Sequence, residues 1–438
     1  MRAKRDRSVR TARMKQATHG LEEILCCPAC KGDMELRAPV LTPAGRVKSG
    51  IFFCPRCREV AGTLTNFKYD FLFFDKAACE AKLRDRKGQP AQVLPYEVRE
   101  ETLAFDDPRL QMRGAWERWE ERYQLSQGRP GDALMFRGEF LDASVRLLKH
   151  PWSGVARFSV DGKVVSEVDL YQPRWSEIHW FPIANDLHPG PHTVEIAATG
   201  RKNERSAGAQ VFFHELVLTC PARDGEPIAG PAPEINRALP LFPVLIELMK
   251  QVPAKGRILE CGGGDRRLQD SRYVNIDCQR YQLPTVWGDV LKLPFRDDSF
   301  DLVFSQALLE HVPDPFAAVQ EMCRVTKPNG LLWSGMAFLQ PLHAAPSHYF
   351  NASLWGIQEL FKHTEIIETS WFGDLSFTID WLFKSAGITE QLERQEYEDL
   401  MGRIRALDRL VSHEALREVA SGVAVLARKP ERGKASGG

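Results

Sequence analysis

Three groups of residues in this chain have types and spacings that could do chemistry. The first is a pair of C-x-x-C knuckles, Cys27-Pro-Ala-Cys30 and Cys54-Pro-Arg-Cys57. Each knuckle can aim two thiolates at one tetrahedral zinc ion, and the residues between the pairs suffice for a hairpin or two. Four sulfur ligands leave no open position, so this zinc is expected to be structural, holding a domain too small for its own core. Cys26 breaks the register and stays outside the ligand set. Redox pairs or free cysteines are the bland alternative, weakened because the C-x-x-C occurs twice at a zinc-site spacing.

The second group sits where apolar runs end. Ile258-Leu-Glu-Cys261 meets Gly262-Gly-Gly264, as a buried parallel strand feeding a glycine turn would. A second run closes on Asp277, where a carboxylate could accept hydrogen bonds from a ribose diol. A third ends at Gly288-Asp289, and Asp289 could meet an adenine amino group; a fourth, Phe300 to Ser305, ends on a hydroxyl. Glycine, Asp and Asp at successive strand ends make a nucleoside site at the carboxyl edge of a parallel sheet. The third group is histidine: His311 follows the fourth run, and His343 and His348 lie after a fifth, Leu331 to Gly335. Histidine can take a proton from a hydroxyl near neutral pH, with His343 or His348 ranked ahead of His311 as base. Each of the three could equally be structural.

The ordered segments ILECGGGD, NID, GDVLKLPFRDDSFDLVFSQALLEHV and EMCRVTKPNGLL resemble the successive motifs of class I S-adenosylmethionine (SAM) dependent methyltransferases over about residues 235 to 430. The resemblance implies a Rossmann-like seven-stranded sheet. Glu260, Gly262 and Gly264 would line the methionine and ribose region of SAM, Asp277 would hold the ribose hydroxyls and Asp289 the adenine, with Ser305 in the same cleft. Two departures stand out. Arg266 occupies the place of the family's last glycine, and only eleven residues separate Cys261 from Tyr273. The first crossover helix is therefore expected to be a stub. An inactive relative or another nucleotide-binding sheet are the alternatives; a dehydrogenase is disfavoured by the absence of GxGxxG.

The remaining elements must position these groups. At 438 residues with 43% hydrophobic content the chain can hold about three domains. Its formal net charge is zero, which gives no global pull toward nucleic acid or acidic membranes. With no apolar stretch of membrane-spanning length and no signal peptide, it reads as a cytoplasmic protein. Residues 1–20 read as a disordered basic arm and 21–75 as a zinc ribbon. ILCCPACKGDMEL and FFCPRC resemble ribbons found beside methyltransferases, including the activator of RNA-modifying methyltransferases. Residues 76–105 read as a connector.

Short, partly alternating runs with turn signals over 106–222 predict a β-sandwich. FRGEF, HPWSGVARFSVDGKVVSEVDLY and LHPGPHTVEIAATG resemble galactose-binding-like jelly rolls. Trp152, Trp175 and Trp180 could stack on sugar rings or fill its core. Trp116, Trp119 and Tyr123 fit either a helix or a strand. A Pro/Gly-rich linker at 223–234 leads into the methyltransferase-like region, 235–429, and 430–438 reads as a disordered tail. Helices are expected over 239–252, 351–362, 376–387 and 390–411, and a closing strand over 423–428. Ribbon and methyltransferase are expected to be independent, so that zinc loss would leave SAM binding intact.

QPLHAAPSHYFNASLWGIQELFKH resembles a subset of methyltransferases of surface-glycan biosynthesis. The expected function is therefore O-methylation of a sugar in a glycan or glycolipid precursor, with a saccharide acceptor as partner. An RNA methyltransferase using ribbon and arm for nucleic acid is a second reading, and a catalytically inactive partner protein a third.

Overall fold

The computed structural model describes residues 21–431, apart from 22, 66–67, 73, 75, 88, 90, 174–175, 223–234, 237, 280, 282 and 344–346. The expected basic arm, the linker, most of the tail and Trp175 lie outside the described residues.

The ribbon opens with β1 (Glu35–Leu41), β2 (Val47–Cys54), β3 (Glu59–Thr65) and β4 (Lys68–Asp70), an antiparallel meander. Helix α1 (Lys76–Asp85) follows, and β5 (Gln92–Val93) returns to pair with β1. The sandwich comprises β6 (Val98–Ala104), β7 (Gln111–Arg113), β8 (Trp116–Trp119), β9 (Tyr123–Ser126), β10 (Ala133–Glu139) and β11 (Asp142–Lys149), then β12 (Gly154–Val160), β13 (Lys163–Asp169), β14 (Glu177–Ala184), β15 (Pro191–Lys202) and β16 (Val211–Pro221). One sheet runs β13-β12-β15-β10-β7 and the other β14-β11-β16-β9-β8, with β6 also on β16.

The third part holds β17 (Ile235–Asn236), α2 (Pro243–Gln251), β18 (Ile258–Cys261), β19 (Arg266–Arg267), β20 (Tyr273–Asp277), β21 (Val286–Trp287), β22 (Phe300–Gln306), α3 (Pro315–Val325) and β23 (Thr326–Ala337). It closes with α4 (Leu354–Leu360), β24 (Glu365–Phe372), α5 (Leu375–Ser385), α6 (Arg394–Leu407), α7 (His413–Leu416) and β25 (Gly422–Arg428). Its seven main strands lie in the order β24-β25-β23-β22-β18-β20-β21, parallel from β23 to β21, with β25 antiparallel to both its neighbours.

Three expectations change. The ribbon is not independent: β4 pairs in parallel with β21, so the sheet continues through β3, β2 and β1 to twelve strands. The reason is apolar continuity. Leu25, Phe52, Leu64, Tyr69 and Phe71 share one buried cluster with Leu259, Val274, Ile276, Val286 and Phe295. The connector is structured in part: β6 buries Val98 and Leu103, on opposite faces, in two different apolar clusters and pairs with β16 along its length. Between β18 and β20 there is no helix; β19 pairs there with β17, because eleven residues are too few for a helical crossover. Trp116, Trp119 and Tyr123 belong to the hairpin β8-β9.

The helices after β23 fall at the expected places but are shorter by a few residues. No helix among the described residues is long and apolar enough to cross a membrane.

Candidate functional site

Gly262 and Gly264 follow β18 with φ of 72° and 58°, the left-handed region that glycine tolerates. A Cβ at Gly262 would stand 2.7 Å from Leu308 Cδ1, so bulk is excluded as well. The Gly264 amide donates to Asp277 Oδ2 at 2.9 Å, and the Gln279 amide to Asp277 Oδ1 at 2.7 Å. Asp277 thus stands at the end of β20, nearly buried and bracing the glycine turn. Asp289 caps the short turn Val290–Lys292 by accepting from the Leu291 amide at 2.9 Å.

Two of the residues assigned to the cleft are occupied elsewhere. Glu260 is buried, ion-paired with Arg266 and accepting from the Tyr273 hydroxyl. Burial pushes its carboxyl up, while Arg266 and Tyr273 oppose that shift. Ser305 is fully buried and shares a 2.8 Å hydrogen bond with Ser334, tying β22 to β23.

Arg266 was visible in the sequence only as a departure from the family pattern. It also donates to the Leu239 carbonyl, and Asn275 Nδ2 donates to the Gly264 and Arg266 carbonyls at 3.0 and 3.1 Å. A buried guanidinium and an amide therefore hold the loop that a crossover helix would ordinarily hold. A neighbouring contact arrives from outside: Arg146 of β11 pairs with Glu215 at 3.0 Å and with Asp265 in the glycine loop at 3.2 Å. The sandwich touches the cofactor turn directly.

Beyond the carboxyl ends of β22 and β23 the three histidines meet. Ring centroids lie 5.0 Å apart for His311 and His343, 4.4 Å for His343 and His348, and 5.8 Å for His311 and His348. The loop is fastened by the Tyr349 amide, which donates to the Glu310 carbonyl at 2.7 Å. Their nitrogens are not equivalent. His348 accepts from the His343 amide at Nδ1, and its Nε2 faces the Phe350 carbonyl at 2.9 Å and Asn351 Oδ1 at 2.8 Å. His311 and His343 engage backbone carbonyls through Nδ1, at Ser347 (2.9 Å) and Pro341 (3.0 Å). With a proton on Nδ1 for that bond, Nε2 of each is a lone-pair acceptor. Burial lowers the pKa of both, and their neighbouring histidines add to it. Next to them Glu310, a residue the sequence reading passed over, is 1% exposed. Its carboxyl is pushed up to about 7 by burial.

The four cysteine sulfurs Cys27, Cys30, Cys54 and Cys57 lie within 4.8 Å of one another. Cys30 and Cys54 are 3.6 Å apart and Cys27 and Cys57 3.9 Å, near the roughly 3.8 Å edge of a tetrahedron with Zn–S bonds of about 2.3 Å. The donor set suits zinc, while Cys26 turns into the core and donates its amide to the Pro294 carbonyl.

On the sandwich, Trp119, Trp152, His150 and Phe212 line a hollow of about 350 Å³. Trp152 is 53% exposed. Trp180 has another task, packing on Trp287 of β21 at 4.9 Å.

Residues 265–334 match the family model described as a methyltransferase domain. That stretch of the chain is therefore similar to a methyltransferase domain. A demethylmenaquinone methyltransferase of Staphylococcus epidermidis is 36% identical over 87 residues, 20% of this chain and 35% of that protein. An uncharacterized methyltransferase of Schizosaccharomyces pombe is 42% identical over 62 residues, 14% of this chain and 22% of the relative. The chain thus spans about a third or less of the length of these relatives. Among solved structures, phosphoethanolamine N-methyltransferase 2 of Haemonchus contortus in complex with S-adenosyl-L-methionine is similar at 14% identity and a TM-score of 0.28, over 51% of this chain and 64% of that one.

Proposed function

We propose that the chain is a SAM-dependent methyltransferase acting on a hydroxyl, with a sugar of a glycan or glycolipid precursor as acceptor. The observation that carries the first part is the braced turn, in which two left-handed glycines stand at the carboxyl ends of parallel strands and the second, Gly264, is tied to Asp277. Asp277 would accept from the ribose hydroxyls and Asp289 would meet the adenine. SAM supplies the electrophilic methyl group when bound. Transfer from a sulfonium is an in-line displacement, so orientation provides much of the acceleration. A hydroxyl acceptor must also lose its proton, and the neutral Nε2 of His311 or His343 is suited to take it. His348, with both ring nitrogens engaged, would position His343. The matched relatives overlap this chain over 87 residues or fewer, so the acceptor rests on this chain's own features. The exposed Trp152 beside Trp119 supports a saccharide, since an aromatic face suits a pyranose ring.

Asp277→Asn keeps the size of the side chain and removes the charge that ribose hydroxyls would meet. SAM affinity should fall at least about tenfold by calorimetric titration, a loss of about 1.4 kcal/mol; unchanged affinity would remove the strand-end assignment. For the acceptor, labelled methyl transferred from SAM into a cell extract should appear in a glycan pool that resists nuclease and protease. Label lost to ribonuclease would replace the saccharide reading with an RNA one.

A further inference from the structure

Glu310, His311 and His343 converge on one point with one ligand atom each, all within 4.8 Å of one another. We propose that these three side chains form a binding site for one divalent transition-metal cation, separate from the cysteine cluster.

Three independent features of the geometry carry this. The carboxylate atom Oε2 of Glu310 is buried and has no hydrogen-bond partner among the described residues, and an orphaned buried acceptor costs roughly 1–3 kcal/mol. A cation at this point would satisfy it. The two imidazoles are arranged as metal ligands are: each engages a backbone carbonyl through Nδ1, which fixes the ring and leaves Nε2 as the donor atom. The third feature is selectivity within the cluster. His348 lies against both other rings but commits both nitrogens to protein partners, so it stands behind the site, where its Nδ1 accepts the amide of His343.

Two imidazoles and one carboxylate favour zinc, cobalt, iron or manganese over magnesium or calcium, which prefer all-oxygen shells. Three protein ligands leave open positions on the cation. With Nε2 of His311 and His343 on the cation neither ring acts as the base; in place of that direct proton transfer, an acceptor hydroxyl could bind at an open position and lose its proton to water, since a Lewis acid lowers its pKa. The oxygen would then form the O–CH₃ bond as the S–CH₃ bond breaks, its electron pair passing to sulfur. That role rests on the methyltransferase reading; cation binding does not, and would stand in a protein that transfers no methyl group.

The test uses the full chain with zinc already in its cysteine cluster. Equilibrium dialysis against Co²⁺ should give one further metal equivalent. Its visible spectrum should show weak d–d bands of nitrogen and oxygen ligation without the strong thiolate charge-transfer absorption of a cysteine site. His343→Ala and Glu310→Gln should each weaken Co²⁺ binding at least about tenfold, while His348→Ala should retain the second equivalent. Circular dichroism and SAM titration check that each variant is folded. No second equivalent, a spectrum with thiolate charge transfer only, or Co²⁺ affinity unchanged in His343→Ala would overturn the proposal, whatever the outcome for methyl transfer.

Discussion

The ribbon and the sandwich adjoin the same parallel sheet, yet they are joined to it by different physics. The ribbon meets the sheet through backbone pairing, β4 against β21, and through a shared apolar cluster. Burial of this kind is non-directional and scales with area. The sandwich keeps a core of its own, and its junctions add buried charges to the Trp180–Trp287 contact and a small apolar cluster of Val40, Leu94, Val98 and Leu141. Lys48 of β2 is 1% exposed and pairs with Asp142 at 2.8 Å and Asp186 at 2.7 Å, while Arg146 reaches Asp265. Buried ion pairs offset much of their attraction by desolvation, so they fix an orientation more than they add stability. The ribbon is thus continuous with the parallel sheet, whereas the sandwich keeps its own core and meets that sheet through side chains.

The largest expected effect breaks the first junction. Stripping zinc, or Cys54→Ser, should destabilise the ribbon by several kcal/mol, since structural zinc in small domains contributes on the order of 10 kcal/mol. The loss should spread into β21 and lower SAM affinity, while the sandwich unfolds in its own calorimetric transition. SAM binding that survives chelation would show the shared cluster to be dispensable.

A smaller effect is expected at the second junction. Lys48→Met leaves Asp142 without a cation and Asp186 with Lys82 alone, which should cost about 3–5 kcal/mol in urea unfolding. Adding Asp142→Leu should recover part of it, because fewer charges then remain buried. If Lys48→Met unfolds no more easily than the wild type, the junction is not held by charge.

The smallest effect lies inside the sandwich and sharpens its independence. His150 is 2% exposed, accepts the Trp152 amide at Nδ1 (2.8 Å), and has its pKa pushed down to about 4 by burial. Unfolded, it would titrate near 6.5. The unfolded chain therefore binds the extra proton, so stability is full above about pH 6.5 and falls as the pH drops toward 4. Differential scanning at pH 7 and pH 4.5 should show a loss of about 2 kcal/mol in the sandwich transition. His150→Phe should lessen that slope.

Much of the site was legible because motif order follows strand order. The three carboxyl-end residues Gly262, Asp277 and Asp289 come from local runs, and the doubled C-x-x-C from local spacing. What escaped is non-local. Nothing in Tyr69-Asp70 states that its neighbour is Val286-Trp287, because a strand's pattern records a buried face but not its partner. Lys48 and Arg146 gave no signal in the sequence, since their burial depends on carboxylates brought from elsewhere in the chain, and Arg266 stood out only as a departure from the family pattern. Glu310 was hidden for a similar reason: its role depends on His343, a loop away.

The pairing of β4 with β21 also has a consequence for synthesis. β4 leaves the ribosome roughly 200 residues ahead of the strand it must join, which at 5–20 residues per second is a wait on the order of ten seconds or more. During that time β4 is an open sheet edge, a template for wrong partners. A metal-clasped meander that forms first would keep β1 to β4 from unravelling until Val286 and Trp287 arrive, so the order of the chain gives metal supply a part in whether the nascent protein matures or aggregates.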